Sequence, residues 1–401
     1  MENKYRYPQW MKQTGATNIL HLTKGEKAHI IIADLGFVEN IEIFQKRLLY
    51  YVPTHTTQSG KGHYKLDDIQ KQFSPHSTGV ASISVGNFLP KDKGYPAYGL
   101  ANKAICISVN SLLLQMEVIP KMSMTTTILH ALGIDSRDVL NNPAFKVTNI
   151  VNLSIGQENT GIIATLQWMF GFGTFSNLDG IDLNKFNDDF LLVIAAGNDG
   201  KLLSKDGSDA GWFESTIKLS QFFPALLKLQ KSTNVIIVGG MTEDYTEVSN
   251  TTNYSKFLVD IAAPSKMLPM LESKNADIVA KGGTTYAAAI VSATAELMLS
   301  CNNRLSGTDI KNIILEEADI FEKAKEKIKE GRVLNIAKAV KKACIPDDDY
   351  SFEYLNSIIS VKKENNTMLK LLKNPFNAQC ELDFPYDEMC HPMDFFALGE
   401  E

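Results

Sequence analysis

The sequence predicts an α/β fold: a doubly wound, mostly parallel central sheet with helices on both faces, followed by a C-terminal extension. Continuous apolar runs recur along the chain and alternate with stretches of amphipathic helical pattern. This is typical of strands that are buried on both faces of a parallel sheet. The chain has 401 residues, of which 44% are hydrophobic, and this is enough to bury a large core.

Five short apolar runs are predicted strands of the central sheet. The longer stretch 282–301 is rich in alanine, which favours a buried helix over a strand. Two glycines open that helix, so we expect the backbone to approach its neighbours closely there, beside the positive end of the helix dipole. The predicted strands cover residues 28–33, 104–109, 147–153, 191–195 and 235–239.

Charge and composition argue against several classes of function. The net charge is −6, so no basic face predicts binding to nucleic acid or to an anionic membrane. The first residues lack the apolar core of a secretory signal, and no later stretch is long enough to span a membrane. Five cysteines, odd in number and widely scattered, argue against a disulfide framework. We expect a cytoplasmic, reducing location, although a protein exported without a cleaved signal would show the same pattern.

Four short segments of the chain carry distinctive polar residues. They are Asp-Leu-Gly at 34–36, Pro-His-Ser-Thr-Gly-Val-Ala at 75–81, Ala-Ala-Gly-Asn-Asp-Gly at 195–200 and Gly-Thr-Thr-Tyr-Ala-Ala-Ala at 283–289. In the same order, they resemble four motifs of the subtilisin-like serine peptidases, the peptidase S8-type family. Those motifs are Asp-Thr-Gly, His-Gly-Thr-His-Val-Ala-Gly, the turn with the oxyanion-hole asparagine, and Gly-Thr-Ser-Met-Ala-x-Pro. The order of acid, base and nucleophile is also that of subtilisin.

The resemblance implies catalytic roles for four residues. Asp34 would orient the imidazole of His76 and stabilise its cation, and His76 would take a proton from a hydroxyl. The Asn198 amide would donate to the developing oxyanion, and Thr285 stands where the family has its nucleophilic serine. Taken singly, the first three are better explained as a turn cap, a histidine at a helix start and a left-handed turn residue. Their joint match in order favours the catalytic interpretation.

Thr285 is the main departure from the family pattern. Its extra methyl group restricts the side-chain rotamer and crowds the approach of a substrate carbonyl. Threonine nucleophiles elsewhere usually use their own free amine as the base. Thr285 is internal, so that route would require prior cleavage of the chain. Milder departures occur at Leu35, Gly79 and Ala289, where the family has threonine, histidine and proline. Ser292 lies one or two turns further along the helix and cannot easily substitute.

Two segments resemble the family's substrate-binding walls. Residues 152–156 would pair with an extended peptide, and residues 195–197 would form the opposite wall of the pocket. Such pairing needs only main-chain donors and acceptors, so binding would survive loss of the nucleophile. The same residues also suit plain sheet positions. The candidate substrate-binding residues are Ser154, Ile155, Gly156, Ala195, Ala196 and Gly197.

The resemblance implies a subtilisin-like endopeptidase that hydrolyses peptide bonds through an Asp-His-Thr variant of the triad. The alternative is a catalytically inactive relative that binds an extended peptide or a protein partner. No cofactor is predicted, since no acidic ligand loop supports the structural calcium found in many subtilases. Cys380, Cys390 and His391 offer only three ligands at irregular spacing for a metal. The oligomeric state is left open.

The domain organisation follows from where the family pattern ends. Residues 331–340 resemble the closing turn and last helix of the family, which predicts a catalytic domain over 1–344 and a C-terminal extension over 345–401. Long intervals between the motifs predict insertions at about 157–189 and 199–232. The aromatic, glycine-rich run 168–175 is consistent with a lid, a specificity wall or a partner surface, and also with simple packing over a local core.

Overall fold

The structure is a computed structural model in which most of the predicted catalytic domain can be described. It describes residues 7–26, 28–34, 36–44, 47–52, 55–57, 60–62, 73–87, 99–110, 148–154, 190–203, 232–275, 277–344 and 394–397.

The strands and helices are numbered in chain order. The strands are β1 (His29–Asp34), β2 (Leu48–Val52), β3 (His55–Thr57), β4 (Gly60–Gly62), β5 (Ile105–Asn110), β6 (Asn149–Leu153), β7 (Phe190–Ala195), β8 (Val235–Met241), β9 (Ile261–Pro264), β10 (Leu268–Met270), β11 (Val279–Lys281), β12 (Asp319–Ile320), β13 (Arg332–Val333) and β14 (Asp394–Ala397). The α-helices are α1 (Gln9–Gln13), α2 (Pro75–Val85), α3 (Thr284–Cys301), α4 (Gly307–Glu316) and α5 (Ile336–Cys344).

The main sheet is mostly parallel. Within the described residues its order is β12-β13-β9-β8-β7-β6-β1-β5-β2-β14. Pairing is parallel from β13 to β2, and only the outer strands β12 and β14 run antiparallel to their neighbours. Strand β1 lies between β5 and β6, so the chain crosses over β1 after β5. The carboxyl end of β1 is therefore at a topological switch point, where open α/β sheets form their clefts.

Both faces of the sheet are buried. Ile30, Leu191 and Ile236 belong to the core shared with helices α2 to α5, while their neighbours Ile31 and Leu192 point to the opposite face and are equally buried. Consecutive burial of this kind explains the uninterrupted apolar runs in the sequence. All five predicted strands are present, with ends shifted by at most a few residues, and the predicted α/β fold class is confirmed.

Helix α3 crosses the core and begins at the predicted glycine pair. Its side chains are buried from Thr284 through Leu299. The residue before the helix, Gly283, has φ 149°, a backbone conformation that favours glycine. The alanine-rich sequence lets α3 pack against α2, α5 and the strands β6 to β9. This fixes the first turn of α3 at the carboxyl edge of the sheet.

The expectation about disulfides is wrong for one pair of cysteines. Cys301 and Cys344 form a disulfide, with their Cα atoms 4.8 Å apart. Because α3 and α5 pack side by side, the cysteines at their C-terminal ends meet despite a sequence separation of 43 residues. Cys106 is buried and free. Structural disulfides are typical of oxidising compartments, so this pair agrees poorly with the expected reducing location.

The first helix lies beside the last one. The carbonyl oxygen of Thr14, just after α1, accepts hydrogen bonds from the backbone N–H groups of Ile336 (3.0 Å) and Ala337 (3.3 Å). Gly15 has φ 73°, and a Cβ at this position would lie 2.8 Å from the Ala337 Cβ. The two ends of the domain are therefore joined directly by hydrogen bonds and close packing.

Several sequence predictions fall outside the described residues. These are the insertion 157–189, most of the insertion 199–232, and all of the extension 345–401 except β14, which pairs with β2. The candidate metal ligands Cys380, Cys390 and His391 also lie outside them. The proposed domain boundary at 344 stays a prediction. In the part of the chain that can be described, no helix is long and apolar enough to cross a bilayer.

Candidate active site

The candidate catalytic residues gather at the carboxyl edge of the parallel sheet. Asp34 is the last residue of β1, Ser154 follows β6, and Asn198 lies in the turn after β7. Since β1, β6 and β7 are parallel neighbours, their carboxyl ends lie at the same edge. Thr285 reaches this edge in the first turn of α3.

Asp34 and His76 form a close pair. The Asp34 Oδ2 lies 2.8 Å from the His76 Nδ1. Asp34 is 1% exposed, whereas the His76 side chain is 42% exposed. Helix α2 presents the histidine, and its N-cap Ser74 accepts a hydrogen bond from the Ser77 N–H. A buried acid that binds Nδ1 fixes the ring and leaves Nε2 for chemistry.

The charges around His76 favour its cation. Burial by itself lowers the pKa of His76, but the hydrogen bond and the charge of Asp34 raise it more, and the pKa is raised overall. Glu272 adds to this increase, while Lys281 opposes it. His76 therefore has the raised basicity that a general base needs.

Asn198 is held by the residue that precedes Thr285. Its Oδ1 accepts hydrogen bonds from the Thr284 backbone N–H (2.8 Å) and from the Thr284 hydroxyl (3.1 Å). With Oδ1 bound in this way, Nδ2 is left to donate to an oxyanion. Sequence reasoning missed Thr284, although it lies inside the motif that was used to find Thr285.

Asn253 holds the turn that carries Asn198. Its Nδ2 donates to the Ala196 carbonyl (3.1 Å), and its Oδ1 accepts from the Asp199 and Lys201 backbone N–H groups (3.1 Å each). Gly197 has φ 99°, and a Cβ there would collide with the Asn253 amide. No sequence signal pointed to Asn253, because it lies in an irregular segment far from the motifs.

Thr285 is nearly buried, and its backbone is linked to a series of hydrogen-bonded polar side chains. The residue is 6% exposed, and its carbonyl accepts a hydrogen bond from the Ser154 hydroxyl at 3.3 Å. Asn152 joins this chain by donating to the Ser154 Oγ (2.7 Å) and accepting from the Ser292 hydroxyl (3.2 Å). Ser292 is thus buried in structural contacts and is no substitute nucleophile.

The Thr285 hydroxyl and His76 are not joined by a hydrogen bond in the described part of the chain. Catalytic hydrogen bonds are often long in sites without substrate and shorten only in the reactive complex. The three candidate triad residues therefore lie at one edge of the sheet, but among the residues that the structure describes the Thr285 hydroxyl makes no hydrogen bond to His76.

The candidate substrate-binding walls are placed only in part. Ser154 and the segment 195–197 lie at the ends of the neighbouring strands β6 and β7. The backbone N–H groups of Ala196 and Gly197 donate within the fold, to the Val238 carbonyl and the Thr284 hydroxyl. These two N–H groups are therefore already engaged within the fold. The segment 195–197 offers a substrate a packing surface and not these hydrogen-bond donors. Ile155 and Gly156 lie outside the described residues. The substrate-binding role of both segments stays a prediction.

The geometry agrees with the comparison to known families. The model of the subtilase family, peptidase S8, matches residues 25–343. The chain belongs to the subtilase family. It is 30% identical over 203 residues to the subtilase cytotoxin A-subunit of Escherichia coli, a match that covers 49% of this chain and 54% of that protein. The chain thus spans about half the length of this curated relative.

Two solved structures share the fold of this subtilase. The crystal structure of the A-subunit of the AB5 toxin from E. coli has a TM-score of 0.54 and 22% identity, and the match covers 84% of this chain and all of that chain. A structure that describes subtilase cytotoxin SubAB assembly has a TM-score of 0.54 and 23% identity, with 86% and 98% covered. At this level of identity the likeness shows the fold alone.

Proposed function

We propose that this subtilase is an endopeptidase that hydrolyses peptide bonds with Asp34, His76 and Thr285, assisted by Asn198. The observation that carries the proposal is the 2.8 Å contact between a buried Asp34 and a half-exposed His76. This contact lies at the same sheet edge as the first turn of α3. A peptide or protein is accordingly the proposed substrate.

The proposed reaction has two steps. The Thr285 Oγ1 attacks the peptide carbonyl carbon while His76 takes the proton from the Thr285 hydroxyl. The resulting oxyanion accepts a hydrogen bond from the Asn198 Nδ2. His76 then gives this proton to the amine nitrogen as the C–N bond of the peptide breaks. The amine leaves, and the acyl group remains bound to Thr285 as an ester. Water, activated by His76, hydrolyses that ester and restores the threonine.

The environment of the site supports this reaction. An ionised carboxylate that is 1% exposed is unfavourable unless it is paired and hydrogen-bonded. Here it faces a histidine whose raised pKa it causes in part. Titratable groups whose pKa is shifted by a specific charged partner cluster at functional sites.

A second function is favoured by one observation. Within the described residues, no hydrogen bond connects the Thr285 hydroxyl to His76. A site in which the methyl group faces His76 would be silent and would bind an extended peptide or protein without cutting it. The rotamer of Thr285 distinguishes the two functions.

Cleavage of a broad peptide library, read by mass spectrometry, tests the proposal. The proteins to compare are wild type, Thr285→Ser and His76→Ala. Cleavage by wild type that disappears in His76→Ala supports the peptidase. Silence of wild type together with cleavage by Thr285→Ser overturns it and supports the binding protein. Silence of both proteins also overturns it.

A further inference from the structure

Tyr286, the residue after Thr285, packs against the base of the triad. Its ring centroid lies 5.9 Å from that of His76, at an interplanar angle of 43°. Tyr286 is 4% exposed, so its ring is held by the core of the domain. A rigid aromatic ring against an imidazole restricts the tilt of that imidazole.

A carboxylate lies at the far end of the tyrosine. The Tyr286 hydroxyl interacts with the Glu272 side chain, and burial together with this charge raises the pKa of Tyr286. Glu272 also forms an ion pair with Lys281, with 2.7 Å between Oε2 and Nζ. The Glu272 side chain is 12% exposed and that of Lys281 is 48% exposed. The carboxylate is therefore fixed from two directions inside the hairpin of β10 and β11.

Gly79 makes room for this arrangement. It lies three residues after His76 in α2. A Cβ at position 79 would lie 2.9 Å from the Met270 Sδ, 3.4 Å from the Tyr286 Cε1 and 3.5 Å from the Glu272 Cγ. The histidine that the family motif has at this position would occupy the same space. Gly79, Tyr286 and Glu272 thus form one arrangement, in which a tyrosine and a carboxylate take the place of a second histidine.

We propose that Tyr286 and Glu272 are positioning residues for His76: Tyr286 packs against the imidazole, and Glu272 supplies a fixed negative charge beside it. The inference rests on the proposed function in so far as His76 is the base of a peptidase. When His76 accepts a proton its ring becomes cationic, and a preorganised carboxylate stabilises that state without rearrangement. Lys281 keeps the carboxylate in place and weakens its field in part.

The charged and titratable groups that face His76 come from three elements. Asp34 approaches from β1, Glu272 and Lys281 from the β10–β11 hairpin, and Tyr286 from α3. After the opposing effect of burial, Asp34 has the largest influence on the pKa of His76, Glu272 raises the pKa further, and Lys281 lowers it. Removal of the two hairpin charges must therefore shift the pKa of His76 in opposite directions.

An NMR titration of the histidine Cε1–H signals tests the inference without turnover. The variants are Glu272→Gln, Lys281→Met and Tyr286→Phe, and the His76→Ala spectrum assigns the signal. We expect Glu272→Gln to lower the pKa of His76 and Lys281→Met to raise it. Tyr286→Phe keeps the ring but releases the carboxylate, so it lowers the pKa by less than Glu272→Gln. In the double variant Glu272→Gln/Tyr286→Phe, the pKa shift of His76 should be smaller than the sum of the two single shifts, because both changes remove one linked interaction.

Lys274→Met is the matched control. Lys274 lies in the same hairpin and carries the same charge, but its side chain is 65% exposed and pairs with Glu39 at 4.0 Å. It should leave the pKa of His76 unchanged. The inference is overturned if Glu272→Gln and Lys281→Met leave that pKa unchanged or move it in the same direction, as general structural damage would.

The pH profile of kcat/KM separates this inference from the proposed function. If the chain cleaves peptides, the acid limb should lie above the ordinary histidine pKa of about 6.5, since only neutral His76 accepts a proton. It should move with the NMR value in each variant. If Glu272→Gln leaves the pKa of the acid limb unchanged, the inference is overturned but the peptidase is not. NMR shifts without any cleavage support the positioning of His76 and overturn the proposed function.

Discussion

The methyl group of Thr285 is the main departure of this site from the serine of the subtilase motif. If Thr285 is the nucleophile, Thr285→Ser keeps the hydroxyl and removes the group that crowds the carbonyl. We expect kcat/KM to rise by about 10- to 100-fold, on the scale of a 1 Å improvement in reactant placement. Steady-state kinetics on the best substrate from the library measure this change.

The matched control for that change is Thr285→Val. Valine keeps the shape and the methyl groups but has no hydroxyl, so cleavage should fall to the level of His76→Ala. Retained cleavage in Thr285→Val would mean that another group attacks the substrate. In that case Thr285 is not the nucleophile.

Asn198 and Thr284 should act on the transition state more than on binding. Asn198→Ala removes one oxyanion donor, which lowers kcat by about 10²- to 10³-fold with little change in KM. Thr284→Val removes the hydroxyl that holds Oδ1 at 3.1 Å but keeps the backbone contact at 2.8 Å. Its effect on kcat should therefore be smaller. A change confined to KM in either variant would contradict the oxyanion role.

At the scale of residues, the sequence points to the candidate catalytic groups more readily than to the groups that hold them. Asp34, His76 and Asn198 stand in local motifs, because each must follow a strand or open a helix at the sheet edge. Asn253 and Glu272 act through contacts between distant segments. Such contacts depend on tertiary packing, which no short pattern encodes.

Helix α3 carries an ionisable group that the site does not use. Glu296 is fully buried, and within the described residues neither of its carboxylate oxygens has a hydrogen-bond partner. Burial raises the pKa of Glu296 well above its ordinary value. The folded protein thus keeps a proton that the unfolded chain releases above pH about 4.3.

This linkage predicts how stability changes with pH. Relative to Glu296→Gln, the free energy of unfolding of wild type should be highest below pH about 4.3 and should fall as the pH rises toward the folded pKa of Glu296. Urea unfolding of both proteins between pH 4 and 8 measures the difference. A difference that stays constant over this range would show that Glu296 is ionised in the fold.

The elements themselves were predictable in proportion to their length. The runs that became β1, β5, β6, β7 and β8 are five to seven residues long and mostly apolar. The β10–β11 hairpin consists of two strands of three residues, too short for any periodicity to be read. Yet this hairpin brings the charges of Glu272 and Lys281 close enough to act on His76 in the candidate site.

For the whole molecule, the Cys301–Cys344 disulfide is the main covalent constraint among the described residues. It closes a loop of 43 residues, and the chain-entropy model gives such a loop about 4 kcal/mol of stabilisation. The double variant Cys301→Ser/Cys344→Ser should lose up to about this amount of unfolding free energy. Urea unfolding without reductant measures the loss.

Reductant supplies the control for this measurement. Added dithiothreitol should bring wild type close to the double variant and leave the variant unchanged. If reductant alters neither protein and their stabilities agree, the disulfide does not form in solution.

The hydrogen bonds from Ile336 and Ala337 to Thr14 have a consequence for connectivity. Because they bring the beginning and the end of the domain together, a short flexible linker could join residues near 344 to residues near 7. New termini would then be opened in a surface loop. The order of the candidate catalytic segments along the chain is thus not essential for building the site. A circularly permuted chain should assemble the same Asp34–His76 pair.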